Sequence, residues 1–249
     1  MFDGKVVIVT GAGSGIGRAT AMLYAERGAR VVVSDLAVEG GEETATRIRE
    51  AGGEAEFVVA DVASPRQCEE LVRRTREVYG RLDIACNNAG IGGEANRTAD
   101  YSVEGWQKVI AINLSGVFYC MKHEIPAMLE AGGGAIVNVA SILGWVGFSK
   151  SPAYVASKHG LLGLTETAAI EYAKEGIRVN SIGPAFIETP MIAGLQQDPE
   201  IEKWLISLHP MGRLGQPEEV AELIVWLSSD QASFITGSYY PVDGGYLAR

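Results

Sequence analysis

The chain has 249 residues, of which 47% are hydrophobic, and a formal net charge of -10 at pH 7. This acidic balance argues against nucleic acid or an anionic membrane as the main partner, and no apolar run reaches the roughly 18 residues of a membrane span. Three scattered cysteines without zinc-like spacing predict no metal site, and together with the lack of a signal-peptide pattern they favour a cytoplasmic protein.

Short apolar strands alternate with helical segments from the first residues onward. The first half of the chain predicts the strands KVVIVT, ARVVVSD, AEFVVAD and LDIACNNAG, separated by a helix from about Gly15 to Arg27, a helix over GGEETATRIREAG and a helix that runs through Val78. Ser64 and Pro65 predict the start of that third helix, as an N-cap residue followed by proline at the first helical position.

The second half continues the alternation. It predicts a long helix from about Val103 to Leu129, the strand GAIVNVAS, a helix from about Ala153 to Glu175, the strand IRVNSIGP, a helix around Glu218–Leu227 and a last strand before GSYYPVDGG. Residues 186–212 follow neither pattern. An irregular stretch of this length predicts a functional loop or lid over the substrate.

The strands are apolar at nearly every position, which indicates burial on both faces. Such strands alternating with helices predict an α/β fold of the Rossmann type, a doubly wound parallel sheet of about seven strands with helices on both faces. Because the sequence shows no repeat and no low-complexity linker, we expect residues 1–249 to form a single domain.

A glycine-rich turn, TGAGSGIG at residues 10–17, lies between the first strand and the first helix. Gly11, Gly15 and Gly17 allow the backbone to approach an anion at the N-terminus of the helix, where free N–H groups bind phosphate. The spacing GxxxGxG differs from the commoner dinucleotide fingerprint GxGxxG. The turn predicts a phosphate site, and a plain tight turn is the alternative.

Polar residues at the ends of the next strands extend this prediction to a dinucleotide. Asp35 ends the second strand, where a carboxylate would accept hydrogen bonds from the adenosine ribose, although it could also be a helix cap. A 2′-phosphate at that carboxylate would lose charge-assisted bonds, at a cost of about 1.5–3 kcal/mol or roughly ten- to a hundredfold in affinity. Residue 14 and residues 36–38 include no cation, so the sequence predicts NAD rather than NADP. Asp61 is predicted to bind adenine and Asn87 to hold neighbouring main chain, each with turn formation as the alternative.

Five features stand in an order and spacing that resembles the short-chain dehydrogenase/reductase family: TGAGSGIG, NNAG at residues 87–90, Asn113, Ser141 and YVASK at residues 154–158. The similarity runs from about Gly4 to Gly245 and includes the ending ITG…VDGG. The resemblance implies hydride transfer between a secondary alcohol or ketone and NAD, without a metal.

The resemblance also implies catalytic roles. Tyr154 would be the general acid/base, Lys158 would lower the pKa of the phenol and hold the nicotinamide ribose, Ser141 would bind the substrate oxygen, and Asn113 would anchor a water in a proton relay. The chemistry is consistent, because a phenol with a pKa of about 10 is a poor base at neutral pH, and a cation within about 4–6 Å lowers such a pKa by roughly 1–3 units.

The glycine turn, the strand ends and the resemblance together imply a set of cofactor contacts. They are Gly11, Ser14, Gly15, Ile16, Gly17, Asp35, Leu36, Asp61, Val62, Asn88, Ala89, Gly90, Tyr154, Lys158, Pro184, Ile187 and Thr189. One departure concerns Pro184-Ala185, where many family members have Pro-Gly. Because alanine reaches positive φ less easily than glycine, the path of the backbone at Ala185 is in question.

The substrate is expected to be a small molecule, a secondary alcohol or ketone, with a cyclic one as our guess. Trp145, Phe148, Met191 and Trp204 predict an apolar wall, and core or interface packing is the alternative. Other functions remain open: a 3-oxoacyl-[acyl-carrier-protein] reductase, an NAD-sensing protein without turnover, and a methyltransferase on a similar sheet. Family members are commonly homotetramers, so the resemblance implies a homotetramer here.

Overall fold

Seven strands form one fully parallel sheet in the computed structural model, which describes residues 1–248. The strands are β1 (Val6–Thr10), β2 (Arg30–Asp35), β3 (Glu54–Val59), β4 (Ile84–Asn87), β5 (Gly134–Val139), β6 (Ile177–Pro184) and β7 (Tyr239–Val242). Their order across the sheet is β3-β2-β1-β4-β5-β6-β7. The prediction of a Rossmann-type parallel sheet of about seven strands is confirmed.

Eight α-helices connect or flank these strands within residues 1–248. They are α1 (Gly15–Glu26), α2 (Val38–Glu50), α3 (Pro65–Tyr79), α4 (Val103–Ile110), α5 (Gly116–Glu130), α6 (Pro152–Tyr172), α7 (Pro199–Ser207) and α8 (Pro217–Ser228). None of these helices is long and apolar enough to cross a membrane.

The sheet is covered on both faces because neighbouring strand residues point to opposite sides. In β1, Val7 and Val9 pack against one apolar core, whereas Ile8 packs against the other. The first core includes side chains from α1, α2 and α8, and the second includes side chains from α3, α5 and α6. Both faces of each central strand are therefore buried from solvent, which explains why the strands are continuous apolar runs.

The strand order reverses direction between β1 and β4. From β1 the chain winds outward to β2 and β3, and then crosses back to β4 on the other side of β1. In open parallel sheets this reversal leaves a crevice beyond the carboxyl ends of the two strands, where ligands bind. The topology therefore locates the crevice at the glycine turn after β1 and the NNAG segment at the end of β4.

Two predicted segments differ from the structure. The long helix expected over 103–129 is α4, a π-helical segment at Ala111–Ser115 and α5, and the π segment contains Asn113. Residues 186–212 are not wholly irregular, because Asp198 caps α7 by accepting a hydrogen bond from the Glu200 N–H at 2.9 Å. Periodicity could not reveal the π segment, since one extra residue per turn barely changes an apolar pattern.

Candidate functional site

A cavity of about 320 Å³ lies at the carboxyl ends of the central strands. Many of the predicted cofactor residues line it: Gly11, Ser14, Gly15, Ile16, Asp35, Leu36, Asp61, Val62, Asn88, Ala89, Gly90 and Thr189. The lining also includes residues that were not predicted as cofactor contacts: Thr10, Ser34, Ala60, Ile91, Ile112, Pro190 and Met191, the last of which was predicted for the substrate wall. Its length along the strand ends suits an extended ligand such as a dinucleotide.

The glycine turn forms one wall of this cavity, and its glycines are sterically required. Gly11 has φ +63, and a Cβ there would lie 2.9 Å from the Ala89 Cα. Gly17 does not line the cavity; it packs inside the turn, where a Cβ would lie 2.1 Å from the Gly11 carbonyl oxygen. The close approach of α1 leaves the N–H groups of its first turn facing the cavity, which fits the requirements of a pyrophosphate.

Asp35 joins the glycine turn to the start of α2. Its Oδ2 accepts a hydrogen bond from the Gly13 N–H at 2.8 Å, and its Oδ1 accepts one from the Ala37 N–H at 2.8 Å. A carboxylate has about four lone-pair sites, so each oxygen keeps acceptor capacity toward the cavity. Among the described residues, no lysine or arginine lines this cavity. The charge of the lining therefore opposes a 2′-phosphate at this position.

The role expected for Asn87 needs correction. Asn88, not Asn87, holds the neighbouring main chain, because its Nδ2 donates to the Thr10 and Gly11 carbonyls at 2.9 and 3.1 Å. Thr10 reinforces this contact, since its Oγ1 accepts from the Asn88 N–H at 3.0 Å. The Asp61 Oδ1 accepts from the Ala63 N–H at 2.9 Å, which is the turn-forming alternative, although the residue also lines the cavity.

Asn87 points the opposite way, into a buried polar network. Its Nδ2 donates to Glu124 Oε2 and to Asn138 Oδ1, both at 3.1 Å. Glu124 lies on α5 with no exposed surface, and burial raises its pKa to about 7 despite the hydrogen bond from Asn87. The network ties β4 to β5 directly beneath the segments that carry NNAG and Ser141.

Tyr154, Ser141 and Lys158 lie together beside the end of β5. The Ser141 side chain lies close enough to the Tyr154 hydroxyl to affect its pKa, and the Lys158 Nζ lies 5.6 Å from the centroid of the Tyr154 ring. Lys158 is 4% exposed and donates to the Val139 carbonyl at 2.7 Å. Tyr154 is in the first turn of α6, so the helix start and the strand end fix this cluster.

The electrostatics of this cluster differ from the expectation. Burial raises the pKa of Tyr154, and the neighbouring Ser141 side chain only partly opposes that effect. Burial also lowers the pKa of Lys158 to about 8. Desolvation disfavours both charged forms. The residues of the chain therefore do not by themselves lower the pKa of the phenol below its ordinary value.

Asn113 is fully buried in the π segment, and both the oxygen and the nitrogen of its amide are hydrogen-bonded to protein groups. Its Oδ1 accepts from the Ile91 N–H at 2.9 Å, and its Nδ2 donates to the Ile91 carbonyl at 2.9 Å and to Ser157 Oγ at 3.3 Å. A Cβ on Gly90 would lie 3.3 Å from Asn113 Oδ1 and 3.7 Å from Lys158 Nζ. Asn113 thus borders the same space as Lys158, while it fixes the chain that follows NNAG.

The segment after β6 lies over the site. Pro184 ends β6, and its carbonyl accepts from Ser141 Oγ at 3.4 Å. Ala185 does not have positive φ, and its N–H donates to the Val242 carbonyl at 3.1 Å, so alanine fits this backbone without strain. Thr189 lines the cofactor cavity, whereas Ile187 is 3% exposed and packs into the core.

The four residues of the predicted apolar wall do not form one continuous surface. Phe148 packs against Trp204 of α7 at 6.1 Å between ring centroids and against Phe186 at 5.9 Å. Trp145 lies apart from them, stacked on Tyr239 at 5.7 Å and still 64% exposed. Met191 lines the cofactor cavity. Residues 186–212 are thus attached to the loop after β5 by aromatic contacts.

Comparisons with known proteins define the family. A family model described as enoyl-(acyl carrier protein) reductase matches residues 11–247. A cyclohexanol dehydrogenase from Acinetobacter sp. (strain SE19) is 50% identical over 248 residues, which cover 100% of this chain and 97% of that protein. A cis-4-hydroxycyclohexanecarboxylate dehydrogenase from Sinomonas cyclohexanicum is 47% identical over 247 residues, which cover 99% of this chain and 98% of that protein. The chain belongs to the short-chain dehydrogenase/reductase family and is an oxidoreductase.

Solved structures agree with this assignment. That of levodione reductase superposes with a TM-score of 0.96 at 39% identity and covers 100% of this chain and 99% of its own. NAD+-bound xylitol dehydrogenase has a TM-score of 0.94 at 35% identity, covering 98% of this chain and 99% of its own. A protein from Beutenbergia cavernae described as an NAD(P)-dependent gluconate 5-dehydrogenase, with bound NADP at low occupancy, has a TM-score of 0.94 at 38% identity and covers 99% and 98%. A nicotinamide dinucleotide is the cofactor type of such relatives.

Proposed function

We propose that this protein is an NAD-dependent dehydrogenase of ring secondary alcohols and a reductase of the matching ketones. One observation carries the proposal: Tyr154 and Ser141 lie together beside the end of β5, with the buried Lys158 ammonium 5.6 Å from the centroid of the phenol ring. The names of two relatives support the substrate class, since cyclohexanol and cis-4-hydroxycyclohexanecarboxylate are both ring secondary alcohols.

The residues of the cavity fit NAD. The glycine turn would hold the pyrophosphate at the start of α1, and Asp35 would hold the adenosine ribose while opposing the 2′-phosphate of NADP. Asp61 and Val62 would border the adenine, and Asn88, Ala89 and Gly90 would border the middle of the cofactor.

The nicotinamide end would lie beside the catalytic residues. Lys158 would hold the nicotinamide ribose, and Pro184, Ile187 and Thr189 would border the carboxamide. Ile187 would do so through its main chain, because its side chain is in the core. When bound, the nicotinamide ring accepts or donates the hydride of the carbinol carbon.

The proton transfer is assigned to Tyr154. In alcohol oxidation the Tyr154 phenolate takes the hydroxyl proton, and in ketone reduction the Tyr154 phenol donates a proton to the substrate oxygen. Ser141 donates a hydrogen bond to the same oxygen as negative charge develops there. Because burial raises the pKa of Tyr154, the phenol is protonated at neutral pH and can donate its proton during ketone reduction. Alcohol oxidation needs the phenolate, so its rate is expected to rise with pH.

The proposal is tested by absorbance at the reduced-nicotinamide band across linear, cyclic and polyol secondary alcohols, with Tyr154→Phe alongside. We expect turnover of ring alcohols by the wild type and loss of roughly two or more orders of magnitude in the variant. NADH binding, followed by fluorescence, should persist in Tyr154→Phe because only the hydroxyl is removed. Equal turnover by both proteins would refute the role of Tyr154.

The choice of NAD rests on Asp35. We expect kcat/KM with NAD to exceed that with NADP by roughly ten- to a hundredfold, and Asp35→Ser to reduce that preference. A wild-type preference for NADP would overturn the role of Asp35.

A 3-oxoacyl-[acyl-carrier-protein] reductase is the second candidate, because the matching family model is described by another reduction of a carrier-protein substrate, that of the enoyl group. The net charge of -10 and Asp35 weigh against it, since an acidic carrier would have to dock on an acidic protein. Faster reduction of a 3-oxoacyl thioester with NADPH than of ring ketones with NADH would favour this candidate. Binding of NADH without any turnover would favour a sensor.

We further propose that the chain forms one cytoplasmic domain with residues 186–212 as the substrate loop, and that it assembles as a homotetramer. Exposed apolar side chains support assembly, among them Trp106 on α4, Phe118 on α5 and Phe234 near β7. Light scattering at micromolar concentration should give the mass of four chains, and a monomer would contradict the proposal.

A further inference from the structure

A cleft of about 410 Å³ opens between two loops and is separate from the cofactor cavity. One loop precedes α4 and the other precedes α6. We call it the rim cleft and define it by its lining: Arg97, Thr98, Ala99, Phe148, Ser149, Lys150, Ser151 and Pro152. The lining combines two cations, three hydroxyl groups and an aromatic ring.

The charge of the rim cleft is opposite to that of the protein. Arg97 and Lys150 are both exposed, and neither has an ion-pair partner among residues 1–248. No acidic side chain in the described part of the chain lines the cleft. In a chain with a net charge of -10, two unpaired cations at one opening create a local field that attracts anions.

The first loop carries two acidic side chains, Glu94 and Asp100, and neither lines the cleft or forms an ion pair with Arg97. Glu94 Oε1 accepts from Ser102 Oγ at 2.5 Å, and its Oε2 accepts from Asn96 Nδ2 at 3.2 Å. These bonds lower the pKa of Glu94, so it stays ionised but directed at its own loop. Arg97 is therefore left without a counter-ion.

The backbone conformation of Lys150 is a second, independent indication that the rim cleft binds a ligand. Lys150 has φ +64, and among residues 1–248 no other residue except glycine has positive φ. A side-chain-bearing residue in this region is strained, and such residues cluster at ligand clamps and active sites. The conformation holds the Lys150 side chain at the rim cleft, where it is one of the lining residues.

The rim cleft adjoins the proposed reaction site. Its Ser151 and Pro152 begin α6, and Tyr154 follows within the same helical turn, whose pitch is about 5.4 Å. Phe148 belongs both to the cleft and to the aromatic contacts with Phe186 and Trp204. A substrate with its hydroxyl at Tyr154 would have its far side near these cations.

We propose that the rim cleft binds a carboxylate on the substrate, and that the preferred substrates are ring secondary alcohols or ketones bearing a carboxylate. Arg97 binds the carboxylate through its planar guanidinium, Lys150 adds a second positive charge, and Phe148 packs against the ring. This inference rests on the proposed function, and it separates acidic ring alcohols from neutral ones such as cyclohexanol.

The test compares cis-4-hydroxycyclohexanecarboxylate with its methyl ester and with cyclohexanol, using the intact protein and NAD. The wild type should prefer the acid to the ester by about tenfold in kcat/KM. Arg97→Gln should lower kcat/KM for the acid about tenfold, because an arginine forms two parallel hydrogen bonds to a carboxylate. It should leave kcat/KM for the ester unchanged. Lys150→Gln should lower kcat/KM for the acid about threefold, since an exposed point charge contributes less to carboxylate binding than a guanidinium does.

A matched control is Lys174→Gln, which removes another exposed cation, beyond the far end of α6. It should leave the ratio of acid to ester unchanged. Higher salt should raise the KM of the acid alone, because screening acts on the charge.

Turnover of the neutral alcohols without a preference for the acid, or equal losses for acid and ester in Arg97→Gln, would overturn the carboxylate site while the proposed function stands. If no ring alcohol is turned over, the proposed function fails. The site is then judged by NMR titration with cyclohexanecarboxylate, which must bind the wild type at least threefold more tightly than Arg97→Gln.

Discussion

Replacing Glu124 by glutamine should stabilise the folded protein at neutral and alkaline pH. The carboxyl group is fully buried in the network below β4 and β5, and a single hydrogen bond, from Asn87 Nδ2, contacts its Oε2. Its Oε1 has no hydrogen-bond partner within residues 1–248. Glutamine keeps the same shape and an oxygen that can accept from Asn87, while it removes the charge whose burial is costly.

The size of the effect follows from the pKa. The carboxyl ionises near 4.5 in the unfolded chain and near a pKa of about 7 in the folded one, because burial disfavours the charged form. Between these values the folded state binds more protons, so the stability from Glu124 is fully present below about 4.5 and is lost as the pH rises through about 7. At about 1.4 kcal/mol for each pKa unit, the loss amounts to about 3 kcal/mol.

Urea unfolding of the wild type and Glu124→Gln, at one protein concentration and at several pH values, measures this effect. Taking the difference between the two proteins cancels the titration of other groups. The variant should gain about 3 kcal/mol over the wild type at pH 8, and the gap should shrink to about 0.8 kcal/mol at pH 5 and to within about 0.5 kcal/mol at pH 4. A difference that does not change with pH would refute a raised pKa, and a less stable variant at pH 8 would show that the carboxylate is favourable where it lies.

Two other changes test the cofactor and substrate regions. Gly17→Ala should destabilise the protein by about 1–3 kcal/mol and weaken NADH binding, because its Cβ would lie 2.1 Å from the Gly11 carbonyl oxygen. Thermal unfolding measures the stability, and fluorescence titration measures NADH binding. Unchanged stability and binding would contradict the close packing at Gly17. Trp145→Ala should change the ratio of kcat/KM between cyclic and linear alcohols if the indole is part of the substrate wall, and an unchanged ratio would leave it only the packing role against Tyr239.

Much of the fold could be predicted from the sequence because its cause is local. Strands buried on both faces must be apolar at every position, and helices covering them must carry an apolar side, so the alternation of the two identifies a doubly wound sheet. The glycine turn was equally accessible, since closely spaced glycines between a strand and a helix indicate a turn without room for side chains, and a Cβ on Gly11 would lie 2.9 Å from the Ala89 Cα.

The neighbouring asparagines show where local reasoning stops. Asn87 and Asn88 are the same residue type, yet Asn87 joins the buried network and Asn88 holds the glycine turn, because successive strand residues point to opposite sides. Which side faces the crevice depends on the register of β4 against β1 and β5. Register is set by contacts between segments far apart in the chain.

The amino-acid sequence by itself determined the sheet, the phosphate-binding turn and the identity of the Tyr154 and Lys158 pair, since each of these depends on residue type and spacing. Only the tertiary structure decided that burial raises the pKa of Tyr154, that Asn113 is hydrogen-bonded inside a π segment, and that Arg97, which has no ion-pair partner among residues 1–248, lies in one cleft with Lys150. These properties depend on which distant groups surround a side chain and on how much water the packing removes. Both are consequences of the assembled fold rather than of any local pattern.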